Sequence, residues 1–149
     1  MFPDDHDLLG LAPEELARLV KQAPARQLRA LLQGEGRSAM LTELVRRMPD
    51  AFRADRAGGL RAVIHWRIGD RPDGGHDAFQ LSIANGACVV CETVDRIADL
   101  TLSIGAVEFL QMVTGNAHPV ALVMRGKLRS KGDIALTATF PRLFDVPTV

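Results

Sequence analysis

Two cysteines are the residues of this sequence whose spacing most directly suggests chemistry. Cys88 and Cys91 match the spacing of a redox pair and of half a zinc site. The segment around them has the composition of a β-strand, in which side chains three positions apart point to opposite faces of the sheet. The four histidines are scattered along the chain, as His6, His65, His76 and His118. We therefore predict no metal site, no redox centre and no cofactor.

Motifs of other catalytic classes are missing from the sequence. It contains no Gly-x-Ser-x-Gly, no Walker loop and no strand-led Gly-x-Gly-x-x-Gly, so nucleophile-elbow and nucleotide-binding functions lack support. A thioesterase-like enzyme is an alternative, but it needs a carboxylate and oxyanion donors that the sequence does not identify. The 18 basic and 18 acidic side chains cancel, so no overall charge draws the chain to nucleic acid. We predict no catalytic residue and a protein that is not an enzyme.

Flexible apolar side chains in the C-terminal third suggest a different function, the binding of an apolar ligand. Each of these residues alone is more often ordinary core. Because Met and Phe fill space loosely, however, their helices could stand off a sheet and leave a tunnel for a lipid. Pro141 interrupts the chain between Phe140 and Phe144, so we expect a mobile lid there. The residues predicted to line the tunnel are Ile64, Trp66, Ile68, Phe79, Leu81, Phe109, Met112, Val113, Val120, Met124, Leu136, Phe140 and Phe144.

Four basic residues alternate along a short segment, as Arg125, Lys127, Arg129 and Lys131. We expect them on one side of a short strand. The commoner use of such residues is to protect an exposed sheet edge from pairing with another sheet. The functional alternative is reversible attraction to the anionic headgroups of a membrane, worth about 1 kcal/mol per cation. The sequence leaves both interpretations open.

Changes in apolar periodicity predict the elements that position these residues. Pro13 and Pro24 are each expected at the start of a helix, which predicts a helical hairpin over residues 12–33. Ser38 can cap the helix that follows. From Leu60 onward the apolar residues alternate, which predicts strands, and Asn85-Gly86 predicts a tight hairpin turn. The inner face of the first two strands is predicted to carry Leu60, Ala62, Ile64, Trp66, Ile68, Phe79, Leu81 and Ile83. The pattern indicates an α+β fold, a twisted, mostly antiparallel five-stranded sheet with helices on one face.

A glycine-rich basic pattern lies near the C-terminus. It consists of Gly115-Asn116, an apolar run to Met124, and Gly-Lys-Leu-Arg-x-Lys-Gly-Asp over residues 126–133. Upstream lie Met48-Pro49, a strand over residues 63–68, and Asp-x-Phe-x-Leu from position 77. In order and spacing, these motifs resemble the signature of the sterol carrier protein type 2 family over roughly residues 38–146.

The resemblance implies a non-catalytic protein that binds or transfers a sterol, a fatty acyl chain or a phospholipid. It implies a lipid-binding domain over residues 37–149 that encloses an apolar cavity. Residues 1–36 lie outside the resemblance and are predicted to form an N-terminal helical extension that packs on the domain or on a second subunit. The alternative is a protein-interaction or regulatory module of the same fold, its cavity filled by its own side chains, that dimerises through the N-terminal helices. Monomer and homodimer both stay open. The acidic stretch at residues 4–7 is unlike a signal peptide, so we expect a cytoplasmic protein.

Overall fold

The computed structural model describes residues 10–145, so His6 lies outside the described residues. The helices are α1 (Pro13–Gln22), α2 (Ala25–Gln33), α3 (Arg37–Arg46), α4 (Met48–Ala51), α5 (Ala54–Ala57), α6 (Ala106–Val113), α7 (Pro119–Met124) and α8 (Ile134–Thr139), with a final 3-10 turn (Phe140–Arg142). The strands are β1 (Ala62–Ile68), β2 (Asp77–Ala84), β3 (Ala87–Cys91), β4 (Leu100–Ile104) and β5 (Leu128–Gly132).

The five strands form one sheet in the order β3-β2-β1-β4-β5. The central pair, β1 and β4, is parallel, and the other three neighbouring pairs are antiparallel. Asn85 and Gly86 join β2 to β3 with φ of 54° and 72°, as the predicted hairpin turn requires. The predicted α+β class with a mostly antiparallel five-stranded sheet is confirmed.

The inner face of the sheet agrees with the predicted register. Trp66 on β1 lies opposite Phe79 on β2 and Leu102 on β4, and all three side chains are buried. Arg67, the next residue along β1, is exposed. Leu60 is half-buried and precedes the strand, because β1 begins at Ala62. The alternation of apolar residues therefore specified which face of these strands meets the core.

The N-terminal hairpin packs into the same core as the sheet. Its apolar residues Leu16, Val20, Leu28 and Leu32 are buried and belong to the one hydrophobic cluster that also holds Trp66. Helices α1, α2 and α3 all contact α6. The hairpin thus packs against α6, and its apolar stripe is buried by other parts of the same chain.

A buried arginine joins this helical layer to the sheet. Arg37, the first residue of α3, lies 2.9 Å from the Asp77 carboxylate through its Nε. Its two Nη atoms donate to four backbone carbonyls, those of Leu32, Ile68, Gly69 and Asp70. The predicted cap at Ser38 is wrong, because α3 begins one residue earlier and has no side-chain cap. Arg37 instead fixes the end of α2 against the end of β1.

Candidate functional site

A cavity of about 770 Å³ opens among the helices, away from the sheet. Its walls come from α1, α3, α4, the C-terminal end of α6, the start of α7 and the segment after α8. This volume lies within the range of pockets that hold small apolar ligands, about 300–1,000 Å³. Most of its lining side chains are apolar, among them Leu11, Leu16, Leu44, Met48, Met112, Val113, Phe140 and Phe144.

The end of α6 forms the base of this pocket. Thr114 closes the helix by donating from Oγ1 to the carbonyl of Leu110 at 2.7 Å. Gly115 then takes φ of 78°, a conformation that glycine adopts at no steric cost. Asn116 turns back and donates from Nδ2 to the carbonyl of Ala17 in α1 at 2.9 Å. The turn thereby holds α1 beside the end of α6, so the pocket between them has two fixed walls.

Aromatic rings form the wall nearest the sheet. Phe140 packs edge-on against Trp66, with ring centroids 5.5 Å apart, and lies 5.4 Å from the ring of Phe144. Phe144 in turn lies 5.7 Å from Phe52. Such edge-on and tilted contacts add about 0.5–1.5 kcal/mol per pair to the burial of the rings. This wall is therefore a stable part of the pocket.

The segment after Pro141 is tied down rather than free. The amide of Arg53 donates to the carbonyl of Leu143 at 2.7 Å, and the amide of Asp145 donates to Ala51 at 2.8 Å. The Arg53 guanidinium also pairs with the Asp145 carboxylate at 2.7 Å. The expectation of a mobile lid between Phe140 and Phe144 does not hold in this structure, because these bonds anchor the segment through position 145.

Charged groups surround the pocket mouth, and most of them are acidic. Glu14, Glu43, Asp50 and Asp145 line it with Arg47, and Asp145 is neutralised by its ion pair with Arg53. Arg47 itself pairs with Glu43, with Nε and Oε1 3.3 Å apart. Glu14 and Asp50 have no ion pair among the described residues, so these two carboxylates give the rim net negative charge.

The structure brings together only part of the predicted tunnel lining. Four of the predicted residues line the pocket, namely Met112, Val113, Phe140 and Phe144. Seven others lie in the packed core between sheet and helices, namely Ile64, Trp66, Ile68, Phe79, Leu81, Phe109 and Leu136. Trp66 and Phe109 fill the space where the tunnel was expected, with ring centroids 5.1 Å apart. Val120 and Met124 are exposed, because α7 buries only Leu122.

Sequence reasoning missed the contribution of the N-terminal helices to this pocket. Leu11 and Leu16 on the α1 side, and Leu44 and Met48 on the α3 and α4 side, face Met112 across it. The available signal was the apolar stripe of the hairpin, to which Leu16 belongs. Nothing in a local pattern, however, specifies which helix that stripe covers.

The basic residues divide between a turn and an edge strand. Arg129 and Lys131 lie on β5, at the edge of the sheet, and point away from the helices. Arg125 and Lys127 precede the strand, in the turn that follows α7, so the expectation of four cations on one strand is only half met. All four side chains are exposed.

The cysteines show no sign of a paired function. Cys88 lies opposite Ile83 and Cys91 opposite Gln80 on β2, and both thiols are free. Burial raises the pKa of the Cys88 thiol to about 11, which suppresses the reactive thiolate at neutral pH. Over residues 10–145 no group of three His, Cys, Asp or Glu side chains is placed to hold a metal ion.

Residues 41–145 match the model of the SCP-2 sterol transfer family. The chain belongs to the SCP-2 sterol transfer family. Among its curated relatives, human "Sterol carrier protein 2" is 27% identical over 84 residues, which are 56% of this chain and 15% of that protein. Bovine "Hydroxysteroid dehydrogenase-like protein 2" is 28% identical over 111 residues, 74% of this chain and 26% of that one. The chain thus spans about a quarter or less of the length of these relatives.

The family fold is also found among solved structures. "Sterol Carrier Protein 2 from Yarrowia Lipolytica (apo form)" matches with a TM-score of 0.56 and 22% identity, covering 74% of this chain and 92% of that one. This likeness shows that the SCP-2 fold extends over most of the chain. Within the described part of the chain, no helix is both long and apolar enough to cross a membrane.

Proposed function

We propose that this SCP-2 domain binds a lipid, without covalent attachment, in the pocket between α1 and the end of α6. The observation that supports this most is the pocket itself, about 770 Å³ of space with mostly apolar walls next to a tightly packed core. Each ligand methylene buried there contributes about 0.8 kcal/mol. Ten to twelve buried methylenes therefore contribute on the order of 10 kcal/mol before ordering costs are subtracted, enough for micromolar binding.

The charge of the rim supports a lipid with an uncharged polar end, such as a sterol. The carboxylates of Glu14 and Asp50, which have no ion pair among the described residues, disfavour a ligand carboxylate that would lie near them. A hydroxyl carries no such penalty and can donate to the same carboxylates. The family description names sterol transfer, which agrees with this choice.

Transfer also requires contact with a membrane, and we propose that α7 makes it. Val120, Val123 and Met124 are 50%, 46% and 82% exposed on a helix whose first residue, Pro119, lines the pocket. Arg125 and Lys127 follow directly, and exposed apolar side chains beside cations suit the interface of an anionic bilayer. Docking through α7 would bring the pocket mouth close to the membrane surface.

The interaction module is the second candidate, favoured by the closed core between sheet and helices. Native mass spectrometry of protein purified without added lipid separates the two functions, because a lipid carrier should retain a co-purifying small-molecule mass. If the protein carries no bound mass and takes up neither fluorescent sterol nor fatty acid, the lipid-binding proposal fails and the interaction module is the better function.

A matched pair of variants tests the role of the rim. Glu14→Gln removes a carboxylate that lines the pocket, whereas Glu15→Gln removes its exposed neighbour on the same helix, which does not line it. We expect Glu14→Gln alone to raise fatty-acid affinity, by up to about fivefold, since exposed charge interactions are worth at most about 1 kcal/mol. Sterol affinity should not rise, because a hydroxyl is not repelled by Glu14. Equal effects of the two variants would contradict the proposed role of the rim.

A further inference from the structure

A second pocket lies at the other end of α6, and its character is different. It has a volume of about 670 Å³ and shares no lining residue with the apolar pocket. It opens where the parallel strands β1 and β4 both end and α6 begins. Four cationic side chains line it, namely Arg29, Arg67, Lys127 and Arg129. None of them forms an ion pair within residues 10–145.

The sheet register places two of these arginines on either side of a serine. Arg67 on β1 lies opposite Ser103 on β4, and Ser103 lies opposite Arg129 on β5. The three residues therefore form one row on the sheet face that points away from the helices. Because neighbouring strands are about 4.8 Å apart, the Cα atoms of the two arginines are separated by about 10 Å. Arg67 also contacts the ring of His76, with Nη2 and Nδ1 3.5 Å apart.

Two carboxylates share the pocket but do not neutralise this row. Asp70 and Glu108 both approach Gly105, where a side-chain Cβ would lie 2.5 Å from Oδ2 of Asp70 and 2.8 Å from Oε2 of Glu108. Neither forms an ion pair with a lining cation. With four cations against two carboxylates, the pocket carries net positive charge in a chain whose overall net charge is zero.

We propose that the row of Arg67, Ser103 and Arg129 binds a phosphate-bearing ligand. A guanidinium donates two parallel hydrogen bonds to a phosphate, and a serine hydroxyl between two guanidiniums supplies one more. Two arginine side chains whose Cα atoms are about 10 Å apart can meet on one phosphate or each take one of two linked phosphates. A carboxylate has only two oxygens and cannot use all of these donors. The site is separate from the lipid pocket and does not depend on the proposed lipid ligand.

Calorimetric titration with inorganic pyrophosphate at low salt tests this site. We expect binding by the full chain that weakens about tenfold or more for each arginine changed to glutamine, as for the loss of a charge-assisted hydrogen bond. The double variant Arg67→Gln/Arg129→Gln is compared with Arg18→Gln/Arg26→Gln, which removes two exposed cations from α1 and α2 outside both pockets. Absence of pyrophosphate binding, together with a negative vesicle result as described next, would overturn the proposal, and so would equal losses in the two double variants.

Vesicles identify the source of the phosphate. At equal surface charge, a site that recognises a lipid headgroup should prefer phosphatidate, which exposes a phosphomonoester, over phosphatidylglycerol, and Arg67→Gln/Arg129→Gln should abolish the preference. Binding of pyrophosphate without this preference assigns the site to a soluble ligand. Uptake of fluorescent sterol should be unchanged in these variants, so failure of this site and failure of the lipid pocket are distinguished.

A further variant keeps the test independent of folding. Ser103→Asp places a carboxylate between the two arginines, where its negative charge should attract them and repel an anionic ligand. We expect loss of pyrophosphate binding with an unchanged or higher Tm. Retained pyrophosphate binding by Ser103→Asp would overturn the proposal.

Discussion

Replacing Met112 by tryptophan tests whether the apolar pocket is open to a ligand. Met112 belongs to α6, and its side chain lines the pocket of about 770 Å³. An indole that extends into this space displaces few protein atoms, so we expect the free energy of unfolding to change by less than about 1 kcal/mol, or about 2–4 °C in Tm for a chain of this length. If the ring excludes three ligand methylenes, binding weakens by about 2.4 kcal/mol, which is about sixtyfold.

Leu110→Trp is the matched control on the same helix. Leu110 is buried and lines neither pocket, so the larger ring overpacks the core and costs about 1–3 kcal/mol of stability. Thermal unfolding measures the stability change, and titration with a fluorescent sterol measures ligand uptake. If Met112→Trp is as destabilising as Leu110→Trp, and the wild-type protein takes up neither sterol nor fatty acid, the pocket is not a ligand site. The interaction module would then be the better function.

Three further changes test other parts of the structure. Changing both Lys127 and Arg129 to glutamate should lower the association of the protein with anionic vesicles at low salt. Unchanged association would contradict membrane docking by these residues, and their role would then be to protect the edge of the sheet. Arg37→Met removes the buried donor to four carbonyls and leaves Arg71, 3.5 Å away, as the only cation paired with Asp77 among the described residues. Because each buried acceptor left without a donor costs about 1–3 kcal/mol, we expect a loss of about 3–5 kcal/mol in urea unfolding, and a loss below about 1 kcal/mol would contradict this role. Because burial raises the pKa of Cys88 to about 11, its alkylation should be slow at pH 8 and accelerate about tenfold per pH unit up to pH 10, and rapid alkylation at neutral pH would refute the burial argument.

The sheet could be predicted from the sequence because its signals are local. Alternation over β1 and β2 gave the buried face, and Asn85-Gly86 gave the turn that follows. The start of α1 was predicted in the same way, since Pro13 occupies its first position.

The position of the pocket could not be predicted, because it depends on contacts between distant segments. Asn116 and Ala17 are 99 positions apart, yet their hydrogen bond holds α1 at the end of α6. Arg37 likewise donates a hydrogen bond to the carboxylate of Asp77, which is 40 residues away in the sequence. An apolar residue such as Trp66 fits a tunnel wall and a packed core equally well, and only the neighbours Phe109 and Phe140 decide between the two.

The glycines and Asp133 of the segments that carry the family resemblance shape the backbone. Gly115 ends α6 with φ of 78°, and Gly132 ends β5 with φ of 125° so close to the Asp99 carbonyl that a side chain there would clash with it. Asp133 then caps α8 by accepting from the amide of Leu136 at 3.0 Å. These residues fix where α8 and the aromatic wall after it stand relative to the sheet.

On the proposed function, the choice of lipid rests largely on residues outside that signature. Leu16, Leu44 and Met112 set the width of the pocket, and Glu14 and Asp50 set the charge at its mouth. A change in any of them alters the pocket without disturbing the turns that build the fold. The sequence signature therefore identifies the family fold, whereas the character of the pocket follows from the side chains that α1, α3 and α4 contribute to its walls.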